Sequence, residues 1–212
     1  NKLNSSEREA LLLSMEYVLV GDIDNFSYEL KGRLGVGNLD KEIYGSILKT
    51  LNTFATISGN ELFRIITETT QFNVNRFLEA LAILVAKKTV LPAYTDSRSD
   101  ELYKNTSKLN ADLLKKAMLN KEISYLVSPV TGGGVRLDRV EMFFAHAIIR
   151  NKQEPVDWPN YAYKKMLELG EFLKVEGKVI DGEKNTITEL TKIAEVFNSK
   201  KVSLLTKLKV FP

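Results

Sequence analysis

The sequence contains no cysteine and only one histidine, His146, which narrows the chemistry open to it. Without cysteine the chain forms no disulfides, no thiolate metal sites and no cysteine nucleophile. A lone histidine without a second histidine or a cysteine does not build a tetrahedral zinc shell. A reducing setting fits this composition. We therefore expect a cytoplasmic protein whose chain holds no metal and no cofactor of its own.

Long apolar runs are also missing. A membrane-spanning helix needs roughly 18 consecutive apolar residues, and the apolar stretches at 81–86 and 143–149 are much shorter. The chain starts at Asn1, and no basic segment precedes the leucines at 11–13, so we expect no signal peptide. The absence of an initial methionine suggests a fragment of a longer polypeptide.

Positive charges only slightly outnumber negative ones in this chain. The net charge is +3, residues 51–106 hold six basic and six acidic side chains, and residues 107–212 hold 18 basic and 13 acidic ones. Nucleic-acid binding depends on clustered lysine and arginine side chains that neutralise phosphates. The excess basic residues of the last third are scattered, so nucleic acid is a less favoured partner.

Apolar periodicity and capping residues predict a mainly α protein with short β elements, in the α+β class. Helix, short strand, helix, helix and strand follow one another over residues 39–94, which is the order of a winged-helix unit. The predicted organisation comprises a helical lead-in (1–38, with a helix over 7–20), a winged-helix-like unit (39–94), a linker or long wing (95–107), and a mostly helical domain with small hairpins (108–212).

The last helix of the winged-helix-like unit presents a candidate interaction surface. Its predicted outward side chains include Arg76, Glu79, Ile83 and Lys87. A carboxylate and an isoleucine in the middle of this face favour a protein contact over a DNA groove. Trp158, near two prolines, is a second candidate anchor for an interface, although the helical spacing of the neighbouring aromatic residues also fits core packing.

Three consecutive glycines follow a strand-like run at 125–130. A phosphate-binding loop needs a lysine and a serine or threonine directly after its glycines, and neither follows here. We therefore predict a structural turn formed by Pro129, Gly132, Gly133 and Gly134. The glycines of residues 32–37 lack the order of a dinucleotide-binding loop and are also interpreted as a turn.

His146 is the natural candidate for acid–base chemistry. A general base requires a nucleophile and an orienting carboxylate within hydrogen-bond reach, and nothing near it in sequence supplies both. We expect a structural histidine; an unrecognised hydrolase or transferase would need a pocket joining it to an acid. The acids at 22, 24 and 29, and at 181 and 183, do not match a calcium loop and are expected in solvated turns.

Residues 109–114 (LNADLL) and 125–135 (YLVSPVTGGGV) resemble the C-terminal region of a family of bacterial S-adenosylmethionine-dependent methyltransferases. In that family a class I catalytic domain is followed by a methyltransferase regulatory domain and a winged-helix-like tail, and related tails occur in protein-lysine methyltransferases. The helix at 141–149, the turn at 176–180 and the terminal segment also match. The resemblance covers about residues 50–210, and Lys209 stands where the family tends to have glycine.

The resemblance implies a non-catalytic regulatory or substrate-presenting module. The acid-x-Gly-x-Gly loop and the ribose-binding acid of a class I methyltransferase are absent from the sequence. S-adenosylmethionine is accordingly expected in a catalytic domain outside this chain. The implied partners are that catalytic domain, in the same polypeptide, and a protein substrate. A winged-helix nucleic-acid-binding protein is the alternative.

Overall fold

The structure, a computed structural model, describes residues 3–32, 35–68, 73–94, 99–151 and 154–211. The chain forms two compact units, Asn1–Thr95 (unit 1) and Asp96–Pro212 (unit 2). Helices predominate in both, and the strands form small antiparallel sheets, so the predicted α+β class is confirmed. Within these ranges no helix has the length and apolar character needed to cross a membrane.

Unit 1 alternates helices with very short strands. Its elements are α1 (Ser5–Ser14), β1 (Glu16–Leu19), β2 (Glu29–Gly32), β3 (Gly35–Asn38), α2 (Lys41–Thr53), β4 (Ile57–Ser58), α3 (Gly59–Thr67), α4 (Val74–Ala86) and β5 (Val90–Ala93). Side chains cap the helices where the sequence predicts it: Asp40 for α2, Ser58 for α3 and Asn73 for α4 each accept a hydrogen bond from a first-turn amide. The order helix, strand, helix, helix, strand predicted for 39–94 is confirmed.

The sheet of unit 1 depends on β1, a strand that lies within residues 7–20, where a helix was predicted. Its order is β4-β1-β5, so β1 lies in the centre, antiparallel to both neighbours. The helix predicted over 7–20 is therefore wrong: α1 ends at Ser14. Tyr17, Val18 and Leu19 are buried in the sheet, where aromatic and β-branched residues are favoured. The described part of residues 1–38 thus supplies β1 and the β2–β3 pair to unit 1 and is not a helical lead-in.

Apolar side chains of α3 and α4 pack against this sheet. Leu62, Phe77 and Leu84 are completely buried in one cluster that also contains Tyr17. The Tyr17 hydroxyl donates to the carbonyl of Leu12 (2.9 Å), and burial raises the pKa of Tyr17 to about 12. Unit 1 is therefore a small sheet covered by helices around one apolar core.

Unit 2 is more helical. Its elements are α5 (Ser99–Ala117), β6 (Tyr125–Ser128), β7 (Gly133–Arg136), α6 (Arg139–Ile149), a 3-10 turn (Pro155–Asp157), α7 (Trp158–Glu168), β8 (Lys174–Val175), β9 (Lys178–Val179), α8 (Glu183–Val196), a π-helical segment (Phe197–Val202) and α9 (Ser203–Lys207). The linker or wing predicted for 95–107 is wrong from Ser99 onward, because α5 begins there. Residues 95–98 of that prediction lie outside the described residues.

Three aromatic rings form the centre of unit 2. The ring centroids of Phe144 and Trp158 are 6.0 Å apart, and Phe197 lies 5.6 Å from Phe144 and 5.7 Å from Trp158. Trp158 is 1% exposed. The prediction of an interface anchor at Trp158 is therefore wrong, because packing between α6, α7 and the π-helical segment encloses the indole. The core packing suggested by helical spacing is what the structure shows.

Candidate interaction surface

The face of α4 that the sequence suggests for partner binding is divided in the structure. Arg76 and Glu79 are exposed, whereas Ile83 is half-buried against the apolar core. Lys87 follows the helix, and its Nζ donates to the carbonyl of Glu29 (3.0 Å) and lies 5.4 Å from the centroid of the Phe26 ring. Two of the four residues thus face solvent, and the other two contribute to the fold of unit 1.

A shallow groove of about 650 Å³ lies where β2 faces the end of α4. It is lined by Ser27, Glu29, Leu30, Lys31, Ala86 and Lys87. A second, smaller depression of about 330 Å³ in unit 2 is lined by Val179, Ile180, Asp181, Asn185, Thr188 and Glu189. Sequence reasoning missed the first groove because it treated residues 32–37 as a turn, and the described part of that segment forms the β2–β3 hairpin; residues 33–34 lie outside the described residues.

The glycine-rich segment of unit 2 is a hairpin. Pro129 and Gly132 lie in the turn between β6 and β7, and Gly132 has φ +65 while its amide donates to the carbonyl of Ser128 (2.9 Å). This left-handed conformation favours glycine. The turn therefore has the structural role that the sequence predicts for these two residues.

Gly133 and Gly134 differ from that prediction because they belong to strand β7. Gly134 pairs with Val127, and a Cβ atom at Gly134 would lie 3.1 Å from Cδ1 of Tyr125. The equivalent atom at Gly133 would meet nothing closer than 3.7 Å. Gly134 thus allows the Tyr125 ring to lie close to the neighbouring backbone.

Asn110 joins this hairpin to the C-terminal tail, which we define as residues 208–211. Its Nδ2 donates to the carbonyls of Val127 (2.8 Å) and Val210 (2.9 Å), and its Oδ1 accepts from the amide of Val127 (2.7 Å). Asn110 is 1% exposed. One buried amide group therefore ties α5, β6 and the tail together.

Two further side chains of unit 2 hold the same tail. Ser128 Oγ donates to the carbonyl of Leu208 (2.8 Å), and the hydroxyl of Tyr103 donates to the carbonyl of Phe211 (2.9 Å). Together with Asn110 they form what we call the tail clamp. Its members come from α5 and β6 and donate hydrogen bonds to main-chain carbonyls of the tail. These bonds satisfy main-chain groups and therefore have a structural role.

His146 lies in α6 with its side chain mostly buried. Its Nδ1 is 2.5 Å from the hydroxyl of Tyr161. Burial, and then the positive charges of Arg150, Lys165 and Lys115, lower the pKa of His146 to about 4. The ring is therefore neutral near pH 7. The hydrogen bond to a phenol, in surroundings dominated by cations, favours a structural role over that of a general base oriented by a carboxylate.

Acidic side chains in turns behave as local capping groups. Asp22 accepts hydrogen bonds from the amide of Asp24 (3.0 Å) and from the side chain of Asn25 (2.7 Å), and Asp181 accepts from the amide of Gly182 (2.9 Å). Among the described residues, no group of three or more potential ligand side chains is positioned to hold a metal ion.

Partly buried ion pairs in unit 2 escaped the sequence analysis. Arg139 pairs with Glu171 (2.7 Å), donates to the carbonyl of Ala117, and lies 4.4 Å from the centroid of the Phe143 ring. Such pairs join residues that are far apart in sequence, so no local signal reveals them. They connect α5, α6 and the segment after α7.

Comparison with known proteins finds similarity to a longer bacterial protein. The chain is 26% identical over 195 residues to an uncharacterized protein of Synechocystis sp., sll1526; the match covers 92% of this chain and 37% of that protein. The chain thus spans little more than a third of the relative's length. No family model and no solved structure matches.

Proposed function

We propose that this chain is a non-catalytic regulatory or substrate-presenting module of a class I S-adenosylmethionine-dependent methyltransferase. The observation that carries the proposal is the tail clamp. Asn110 and Ser128, in the two segments that most resemble the methyltransferase family, bind main-chain carbonyls of the tail. The residues in the resembling segments thus hold the C-terminal tail in place. In this proposal the reacting groups lie in another domain.

The length of the Synechocystis relative supports a module within a longer polypeptide. The matched part is 37% of that protein, which leaves most of its sequence for other domains. In this proposal one of them is the catalytic domain that binds S-adenosylmethionine, and this module packs against it or presents a protein substrate to it. The parent enzyme in this proposal is a bacterial, cytoplasmic S-adenosylmethionine-dependent methyltransferase, and a protein lysine is one candidate methyl acceptor because related tails occur in protein-lysine methyltransferases.

Calorimetric titration with S-adenosylmethionine tests the proposal. The full-length Synechocystis protein, its matched segment and this chain are titrated in parallel. We expect binding by the full-length protein and none by the matched segment or by this chain. Saturable binding to this chain, or no binding to the full-length protein, would contradict the proposal.

The confirmed order of elements in 39–94 supports a second function, nucleic-acid binding through α4. The exposed Arg76 is available for phosphate contact, but Glu79 lies one turn further along and Lys87 is engaged with Glu29. If α4 binds duplex DNA, its affinity for DNA falls steeply as the salt concentration rises. Arg76→Ala should then reduce the slope of log affinity against log salt concentration by about one. Titrations that stay flat at low salt would dismiss this function.

A further inference from the structure

Within the described residues, one edge of β2 has no neighbouring strand. In an antiparallel pair, hydrogen-bonded and non-hydrogen-bonded residue pairs alternate. Leu39 donates its amide hydrogen to the carbonyl of Tyr28 (2.7 Å), which makes these two a hydrogen-bonded pair. Two residues further along, Leu30 therefore also bonds towards β3. Glu29 and Lys31, the residues on either side of Leu30, direct their amide and carbonyl groups away from β3.

A contact on the opposite side supports this assignment. The carbonyl of Glu29 accepts from Nζ of Lys87 (3.0 Å), a residue of the α4 side of the groove. The amide of Glu29 donates to Ser27 Oγ over a long 3.3 Å. Within the described residues, the main chain of Lys31 has no hydrogen-bond partner outside the hairpin. A strand edge without a neighbouring strand presents main-chain groups that can pair with another strand.

We propose that this edge pairs with the same edge of a second copy of the chain. An antiparallel pairing centred on Leu30 places Glu29 of each copy opposite Lys31 of the other, so both cross-strand pairs have opposite charges. The two side chains already lie on one face, 3.1 Å apart within a chain, and are 45% and 78% exposed. The sequence Glu-Leu-Lys is thus complementary to itself about a two-fold axis, as a symmetric dimer interface requires.

The hydrogen-bonding pattern fits the same register. Glu29 and Lys31 have outward amide and carbonyl groups, so each forms a hydrogen-bonded pair with the opposite residue of the other copy. A carbonyl oxygen has two lone pairs, and Glu29 can keep its bond to Lys87. Leu30 is 37% exposed and meets Leu30 of the second copy. The two hairpins then form one four-stranded sheet, and the groove beside β2 supplies space for the added strand.

A single introduced cysteine tests the register, because the chain has none of its own. In the proposed dimer the two Leu30 positions form a non-hydrogen-bonded pair with Cα atoms about 4.5 Å apart, within the range that a disulfide spans. Under mild oxidation Leu30→Cys is expected to form a disulfide-linked dimer. The control is Val36→Cys on β3, which is more exposed at 66% and is expected to cross-link at least about fivefold less.

Charge exchange tests the same pairing independently. In the Leu30→Cys background, Glu29→Lys or Lys31→Glu alone creates two like-charge pairs, and the cross-linked fraction should fall about tenfold. Mixing these two variants restores opposite charges, so the mixture should cross-link as the Leu30→Cys chain does. Circular dichroism checks that every variant is folded. Equal cross-linking of Leu30→Cys and Val36→Cys, no dimer at all, or no effect of the charge changes would overturn the proposal.

Discussion

The two units bury polar side chains to very different degrees. Among the described residues of unit 1, and leaving tyrosine hydroxyls aside, one polar side chain is buried, that of Thr89. Those described in unit 2 are Asn110, Ser128, Glu141, His146 and Thr186. In the described residues every buried side-chain nitrogen or oxygen atom has a hydrogen-bond partner.

The two units therefore differ in the interactions that stabilise their folds. Unit 1 is held by apolar packing, in which loss of contact area lowers stability gradually with the size of the deletion. Unit 2 adds buried hydrogen bonds, and removal of one partner leaves another polar group buried without compensation. We therefore expect unit 1 to respond most to changes in side-chain volume and unit 2 to respond strongly to polar changes that conserve volume.

Deletion of a ring from the core of unit 1 should have the largest effect. Phe77 is completely buried, so Phe77→Ala is expected to lower the free energy of unfolding by about 4 kcal/mol. Hydrogen exchange and denaturant titration measure this loss. The control is Phe54→Ala, since Phe54 is 39% exposed and its removal should cost no more than about 2 kcal/mol, half of the loss at Phe77. Similar values for the two variants would contradict the apolar account of unit 1.

The tail clamp provides the corresponding test in unit 2. Asn110→Ala removes three hydrogen bonds, and the main-chain groups of Val127, which are partly buried, and of Val210, which is buried, lose these partners. We expect a loss of about 3 kcal/mol in denaturant unfolding. Asn105→Ala is the matched control, because Asn105 lies on the exposed side of the same helix and alanine favours helix. A small effect at Asn110 would remove the distinction between the units.

Acid should weaken unit 2 through His146. Its pKa is about 4 in the folded chain and about 6.5 when unfolded. Because the unfolded chain takes up a proton first, this contribution to stability is present at neutral pH and is lost as the pH falls from 6.5 towards 4. Between pH 7 and pH 5 we expect a loss of up to about 2 kcal/mol. Denaturant titrations of His146→Gln should lack this part of the pH dependence; an unchanged slope would argue against it.

The smallest effect is expected in the glycine hairpin. Gly134→Ala would bring a methyl group within 3.1 Å of the Tyr125 ring, whereas at position 133 the nearest atom would lie 3.7 Å away, an ordinary van der Waals contact. Gly134→Ala should be about 1 kcal/mol less stable than Gly133→Ala, measured by thermal unfolding of both variants. Equal stability would show that the ring moves aside without loss.

Local signals in the sequence were sufficient for most helices. Ser58 and Asn73 mark the starts of α3 and α4 through side-chain caps, and apolar spacing predicts their buried faces. Strand β1 escaped prediction because its partners, β4 and β5, are distant in sequence and only the assembled sheet defines it. Tertiary packing overrides local propensity in such segments.

The candidate site was predictable to a smaller extent. The structural turn at Pro129 and Gly132 followed from turn chemistry, and Arg76 and Glu79 are exposed as predicted. The prolines beside Trp158 suggest a surface position, yet its environment is set by rings from two elements distant in sequence, Phe144 of α6 and Phe197 of the π-helical segment. The tail clamp was invisible because Asn110 and Val210 are 100 residues apart in the chain.

A double-mutant cycle between Asn110→Ala and Ser128→Ala tests the central claim most directly. If both side chains hold the same tail, loss of one releases the segment that the other binds, and the second substitution then costs less. We predict a coupling free energy of about 1 kcal/mol in denaturant unfolding, with the double variant more stable than the sum of the single effects implies. Strict additivity would contradict a shared clamp and would leave the residues of the methyltransferase resemblance without the structural role assigned to them.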